Sequence, residues 1–229
     1  MDQRVNFVFL HVGEDNRPNL LVKSIRKYFP KSYIYQCTDL VSKDIDGVDN
    51  VYRLDGDIKN LMTFRLEAFS SLNLQEEAIY LDTDMLVINK FDIKINHSDA
   101  ILCKRSFDLD RLFNTSFLGM DLSEYQDMTL GDVYPYLACF TVTKSSAFWK
   151  EALNVLKLLD HKFYYWYGDQ EALKKIKTKS MFNIVTVEES IFACLPEQID
   201  KNNPPNILHF KGAARKPLMI VMANQMELI

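Results

Sequence analysis

No stretch of this chain is apolar for long enough to cross a bilayer; its first hydrophobic run, Val5–Leu10, is short and follows Asp2 and Arg4. Neither a signal peptide nor a membrane helix is expected. Basic charge is also lacking. A formal net charge of −4 and a pI near 5.6 argue against nucleic acid as the main partner, because phosphate backbones recruit basic surfaces. No polybasic tail offers stable membrane docking. Cysteine is sparse: Cys37, Cys103, Cys139 and Cys194 lie far apart without a CxxC pair, and they read as reduced core thiols of a cytoplasmic protein. There is no internal repeat and no low-complexity segment. What the chain does have is apolar content, 48% of 229 residues, enough to bury one good α/β core. Its even composition gives no reason to divide it, so a single domain over 1–229 is expected.

Val5–Leu10 reads as a buried first strand, after which Leu21, Ile25, Tyr28 and Phe29 recur at helical spacing until Pro30 interrupts. That is one βα unit. Tyr33–Cys37 and Val48–Leu54 read as strands, and Leu61, Phe64, Ala68, Phe69 and Leu72 mark a second helix leading into a strand at Ala78–Leu81. The alternation predicts a mostly parallel sheet covered on both faces. Ala100–Cys103 is a further candidate strand. Residues 106–132, richer in Asp, Ser, Thr and Asn, read as loops and short helix crossing the sheet's ligand edge. Leu137–Val142 returns to strand character, and Phe148, Trp149, Ala152, Leu153, Leu156 and Leu159 form the next helical face. A short helix from about Gln170, a strand at Phe182–Val187 and a last strand at Ile207–Phe210 complete the expected order. The apolar segment Met219–Ile229 fits either a final helix or a contact with a partner.

Against this background the run Ala78–Asn89, AIYLDTDMLVIN, stands out, because an apolar strand stops on two aspartates and then turns apolar again. Side chains alternate along a strand, so Asp82 and Asp84 project the same way at its carboxyl end, where open α/β sheets hold ligands. Two like charges so close call for a cation. A hard divalent ion bridging the phosphates of a nucleotide makes the chain a candidate metal-dependent transferase. The alternative, a solvated cap or loop pair, suits the middle of an apolar run poorly.

His209 ends the last expected strand, in ILHFKGAARKP, just before a glycine-containing basic loop. A lone histidine on an apolar strand is usually a core residue. Its neighbours point elsewhere. Gly212 permits close backbone approach to an anion, and Lys211, Arg215 and Lys216 form a dense positive cluster suited to a diphosphate. An imidazole with two carboxylates suits Mn²⁺ or Mg²⁺, the nitrogen favouring Mn²⁺.

Four segments, TFRLEAF, YLDTDMLV, GDQEAL and HFKGAARKP, taken together resemble the GT-A-fold glycosyltransferases. The resemblance is greatest to the retaining glycosyltransferase family 8, which includes glycogenin and the lipopolysaccharide galactosyltransferases, and it covers nearly the whole chain. It implies a nucleotide-diphospho-sugar transferase fold, with a mostly parallel central sheet flanked by helices. It places the metal on Asp82, Asp84 and His209, with Thr83 among the cofactor-binding residues, and a basic side chain after Gly212 on the diphosphate. This chain has one residue more than the usual spacing and Leu218 where the family has tryptophan, so Arg215 and Lys216 compete for that role, with Lys216 preferred. The resemblance implies that Arg65 reaches the donor and that Asp169 and Gln170 lie against donor sugar and acceptor. Asp169, following Gly168, also suits the N-cap of the next helix, and Arg65 equally suits a surface position. His11, Val12 and Gly13 fall where such enzymes receive the nucleotide base, though His11 could as well be structural. The aromatic run Phe163–Tyr167 suits sugar stacking or, more simply, core packing.

The implied activity is metal-dependent transfer from a UDP-linked sugar to a glycan or lipid-linked acceptor hydroxyl, with retention implied by resemblance alone. One departure bears on acceptor and sugar. Where the family strand carries asparagine and glycine, this chain has Leu137, which cannot hydrogen-bond a hydroxyl, and Cys139, which fills the space a glycine leaves. Two other readings compete. Haloacid dehalogenase-type phosphatases also use a strand-end DxD, but theirs normally begins the fold and continues to Thr or Val where Leu86 stands. The other is a non-catalytic nucleotide-sugar binder on the same fold.

Overall fold

A computed structural model describes residues 4–229. The chain runs through β1 (Asn6–Leu10), α1 (Arg17–Tyr28), β2 (Tyr33–Thr38), β3 (Asn50–Arg53), α2 (Leu61–Ser71), β4 (Ala78–Leu81), β5 (Met85–Val87) and β6 (Ala100–Lys104). After two 3₁₀ turns come α3 (Leu130–Val133), β7 (Tyr136–Thr143), α4 (Ala147–Lys157), α5 (Lys162–Tyr165), α6 (Gly168–Lys179), β8 (Ile184–Glu188), α7 (Glu189–Phe192), β9 (Ile207–His209) and α8 (Lys216–Gln225).

Seven strands form one sheet in the order β3-β2-β1-β4-β7-β6-β8, in which β7 alone runs against its neighbours. Both faces are covered, and the strand pleat assigns residues to them. Val8 and Tyr80 join a core with α2, α4 and α6, whereas Phe7, Phe9, Ile79 and Leu81 join another with α1. In the first core Phe69, Tyr80 and Trp149 meet with ring centroids 4.8 to 5.1 Å apart. Each such buried ring stabilises the fold by roughly 2–3 kcal/mol through the apolar area it removes from water.

From β1 the chain steps outward to β2 and β3, then crosses back to place β4 on the other side of β1. This reversal opens a crevice at the carboxyl ends of β1 and β4, beside Leu10 and Leu81, the place where open α/β sheets bind ligands. Residues 106–132 leave β6 at that same edge and re-enter through β7, anchored by buried Phe113, Met120 and Leu122.

Two elements differ from the sequence-based expectation, and a third settles between two alternatives. The Ile207–Phe210 strand is not part of the main sheet; β9 pairs antiparallel with β5 in a separate two-stranded ribbon, Met85 opposite His209 and Val87 opposite Ile207. The helix expected to be short from about Gln170 is the twelve-residue α6, starting at Gly168. Tyr167, not Asp169, is its N-cap, in a left-handed conformation at φ 63°. Of the two alternatives for the C-terminal segment, the helix forms: Met219 and Ala223 of α8 are buried in a cluster with Leu86, Leu208 and Phe210.

Candidate active site

The turn after β4 carries Asp82 and Asp84, and its geometry comes from backbone hydrogen bonds on both sides. Asp82 N–H donates to Cys139 O (3.1 Å), and the Asp84 carbonyl accepts from Phe210 N–H (2.8 Å). The Ser24 hydroxyl of α1 accepts from Val87 N–H (3.0 Å), which holds the ribbon against the helix. The ribbon thus delivers His209 to Asp84, Nε2 to Oδ1 at 3.3 Å, across 125 residues of sequence. One ligand atom from each of Asp82, Asp84 and His209 lies within 4.8 Å of the others.

Two carboxylate oxygens and an imidazole nitrogen are a donor set for a hard divalent cation with some tolerance for nitrogen, so these residues fit Mn²⁺ or Mg²⁺. Burial opposes ionisation of Asp84, yet His209, then Arg17 and Lys216, outweigh it and hold the carboxyl down to about 2. For His209 burial again opposes charge, and the charge of the Asp84 carboxylate and its hydrogen bond overcome it, raising its pKa. Burial keeps the Cys139 thiol neutral, pushed up to about 11. Among the described residues His209 Nδ1 has no hydrogen-bond partner.

Arg65 is buried, which overturns the surface alternative. Its guanidinium makes three contacts: Nη2 to Asp82 Oδ1 (2.7 Å), Nη1 to Asp169 Oδ2 (3.0 Å), and Nη2 to the Ala138 carbonyl (2.9 Å). Asp169 Oδ1 accepts from Gln170 N–H (2.7 Å), so both of its oxygens are occupied although it sits in the first turn and not at the cap. Burial raises the Asp169 pKa and Arg65 acts against that. Asp169 and Gln170 are therefore joined to the metal-type cluster through one arginine.

The basic loop divides. Arg215 is held by Glu197 and the Lys211 carbonyl, and Lys211 Nζ meets the fully buried Glu189 at 3.3 Å. Lys216 has no ion-pair partner among the described residues, and its charge lowers the Asp84 pKa. Gly212 takes φ 84°, a conformation open to glycine and strained for other residues. At the end of β1, Gly13 has φ 98° and donates its N–H to Ser42 Oγ (2.7 Å), while His11 is buried. Val12 lies between them and is partly exposed, as is Thr83 in the aspartate turn.

Of the aromatic run, Phe163 is buried and Tyr167 stacks on Tyr134 at 4.7 Å, which is core packing; Tyr165 is exposed. Leu137 and Cys139 are buried in β7. The sequence reading missed Arg17, whose Nη1 lies 4.0 Å from Asp84 Oδ2. The available signal was its place at the start of the helix that follows the Gly13 turn. Glu189 was missed too; besides Lys211 it receives Ser106 N–H (2.9 Å) and Phe107 N–H (3.1 Å), tying the excursion to the basic loop.

No protein-family model matches the chain, and no curated protein matches it. Solved structures do. A galactosyltransferase, LgtC, in complex with donor and acceptor sugar analogs superposes with a TM-score of 0.59 at 14% identity, covering 96% of each chain. An active-site mutant of LgtC gives a TM-score of 0.59 at 15% identity with the same coverage. The glycosyltransferase GlyE of Streptococcus pneumoniae TIGR4 gives 0.62 at 13% identity, over 97% of this chain and 60% of that one. At such identities the likeness is one of fold: the chain has the GT-A glycosyltransferase fold, resembling that of family 8.

Proposed function

We propose that this chain is a metal-dependent glycosyltransferase that moves a sugar from a nucleotide-diphosphate donor to the hydroxyl of a glycan or lipid-linked acceptor. The observation that carries the reading is the meeting of Asp82, Asp84 and His209 at the carboxyl edge of the sheet, bridged by Arg65 to Asp169. Asp82, Asp84 and His209 would hold the cation, Mn²⁺ or Mg²⁺. Bound there, a divalent ion neutralises the charge that develops on a departing diphosphate. Lys216 adds a second positive charge for the same group, with Arg215 engaged by Glu197.

Asp169 and Gln170 hold the donor sugar. The Asp169 carboxylate is held in one orientation by Arg65 and by Gln170 N–H, as a group that positions a sugar hydroxyl needs to be. Retention follows from the family resemblance alone, and in it Gln170 would stabilise an oxocarbenium-like centre. A uridine-linked hexose donor is what the family resemblance implies. Residues 1–229 act as one domain in this reading. A cytoplasmic location accords with four unbridged, buried cysteines. Among the described residues no helix is long and apolar enough to cross a membrane.

The test is a screen of nucleotide-sugars with Mn²⁺ or EDTA, following release of nucleoside diphosphate. Mn²⁺-dependent release from a sugar nucleotide, lost in Asp84→Asn, supports the reading. Release of phosphate from a generic phosphoester in its place, or nucleotide binding without turnover of any donor, overturns it.

A further inference from the structure

Arg105 is the first residue past β6, at the same carboxyl edge of the sheet as Asp82, because β4 and β6 flank β7 and both run against it. The residue is 6% exposed, and its backbone N–H donates to the Pro135 carbonyl (2.8 Å). Nε donates to the Tyr134 carbonyl (2.9 Å), which fixes the plane of the guanidinium. Beyond that bond the group is uncommitted. Neither Nη atom makes a hydrogen bond or an ion pair among the described residues, and neither is sealed from solvent.

A guanidinium stays charged at any physiological pH, and a buried charge without a counter-ion is costly. The carboxylate whose charge acts most on Arg105, that of Glu189, is spent on Lys211 and on the N–H groups of Ser106 and Phe107. Asp108 pairs with Arg111 at 3.2 Å. Arg65, equally buried, shows the contrast: two carboxylates and a carbonyl use up its fork. The fold leaves the Arg105 charge for something else to neutralise.

Its place narrows what that is. Tyr134, whose carbonyl holds Nε, stacks on Tyr167, the N-cap of α6 and two residues before Asp169. Arg105 thus stands across β7 from the aspartate turn, beside the start of the helix that carries Asp169 and Gln170 and at the root of the 106–132 excursion. An anion on the donor sugar would face Asp82 and Asp169, whose charges repel it; one on the acceptor lies farther from them. Leu137, in the intervening β7, offers a hydroxyl no hydrogen bond, so charge replaces neutral polar contact on this side. The free edge of a guanidinium matches the two oxygens of a carboxylate or phosphate.

We propose that Arg105 is the specificity-determining residue for the acceptor, and that the acceptor carries an anionic group, a carboxylate or a phosphate, which the two free Nη atoms bind. This inference rests on the glycosyltransferase reading above and narrows its acceptor class.

Ligand-observed NMR titration at matched ionic strength, with UDP and Mn²⁺ present, tests it. The probes are methyl glucuronide and methyl galacturonide against methyl glucoside and methyl galactoside, and the 6-phosphates of glucose and galactose against the free sugars. At least one anionic probe binds tenfold or more tightly than its neutral parent, and the arm in which it falls identifies the group as carboxylate or phosphate. Arg105→Met reduces the preference to less than threefold, and Arg105→Lys, which keeps the charge without the fork, retains part of it. The wild-type comparison needs no variant and stands even where one fails to fold. Equal binding within every pair, or an undiminished preference in a folded Arg105→Met, overturns the role of Arg105 and leaves the transferase reading intact. A preference for UDP-glucuronate over UDP-glucose that Arg105→Met abolishes moves the anion to the donor and overturns the acceptor assignment. Failure of every sugar nucleotide to release nucleoside diphosphate overturns the transferase reading, and the acceptor assignment with it.

Discussion

Arg65 decides how the candidate site is held. It faces Asp82 and Asp169 at 2.7 and 3.0 Å, and its own side chain is 9% exposed, so removing it strands the buried Asp169 carboxylate and takes a partner from the partly exposed Asp82. Arg65→Met is expected to lose about 3–5 kcal/mol of stability, the range for breaking a buried ion pair from one side. Chemical denaturation measures it; a loss under 1 kcal/mol contradicts the clamp. Two histidines make opposite contributions with pH. His11 has its pKa lowered by burial, beside Asp39, Arg17 and Glu14, so folding excludes a proton and stability falls as pH drops below 6.5. His209 is raised to about 10, so its contribution is complete below 6.5 and is lost as pH rises toward 10. The metal-free protein should therefore be most stable near pH 6.5, with the acid limb flattened in His11→Asn and the alkaline limb in His209→Gln, as melting curves from pH 5.5 to 9.5 will register. Asp82, Asp84 and His209 were legible in sequence because charged or titratable groups interrupt apolar strands at their ends. Arg65 could be read either way, since its partner Asp169 lies 104 residues distant and no local pattern reports such a pairing.

At the scale of elements, β1, β2, β4 and β6 announce themselves as apolar runs between polar turns, and α1, α2 and α4 as helical faces. Pairing partners are less visible. The β5–β9 ribbon joins two three-residue strands more than a hundred residues apart, and its register comes from packing under α1 and α8, which no short-range pattern encodes. The start of α6 was misplaced for a different reason. Asp169 has good capping chemistry, but Gly168 is fixed earlier in the chain by contact: a Cβ on it would sit 2.2 Å from the Phe163 carbonyl and 2.5 Å from Leu156 Cδ1. The close approach of α5 to α6 thus sets where the helix begins and aims Asp169 inward to Arg65. Gly168→Ala should destabilise the protein by about 1–3 kcal/mol through overpacking, and weaken donor turnover more than nucleotide binding, because it shifts Asp169 and Gln170, the residues proposed to hold the sugar, and leaves Asp84 and His209 in place. Equal loss of both would place the damage in the fold as a whole.

In the whole molecule, one crevice gathers residues from the two ends of the fold. Its carboxylates have partners without a ligand: Asp82 and Asp169 share Arg65, and Asp84 meets His209 with Arg17 nearby. A cation alone must displace those partners and gains little. A diphosphate alone meets Lys216 and Arg17 but also two carboxylates. Together, the cation would take Asp82, Asp84 and His209, the imidazole giving up its proton, and the diphosphate would meet that cation with Lys216 and Arg17, so binding of the pair is expected to be strongly cooperative. A ligand pair present at a hundredfold its dissociation constant adds about 2.7 kcal/mol to stability. At about 2–4 °C per kcal/mol for a chain of this size, the melting temperature should rise by roughly 5–10 °C. Mn²⁺ or UDP singly should give less than a third of that shift, and Asp84→Asn should abolish the joint effect while melting, unliganded, within a few degrees of wild type. A full shift produced by UDP in EDTA would mean that binding needs no cation and leave the carboxylate pair without a metal to hold.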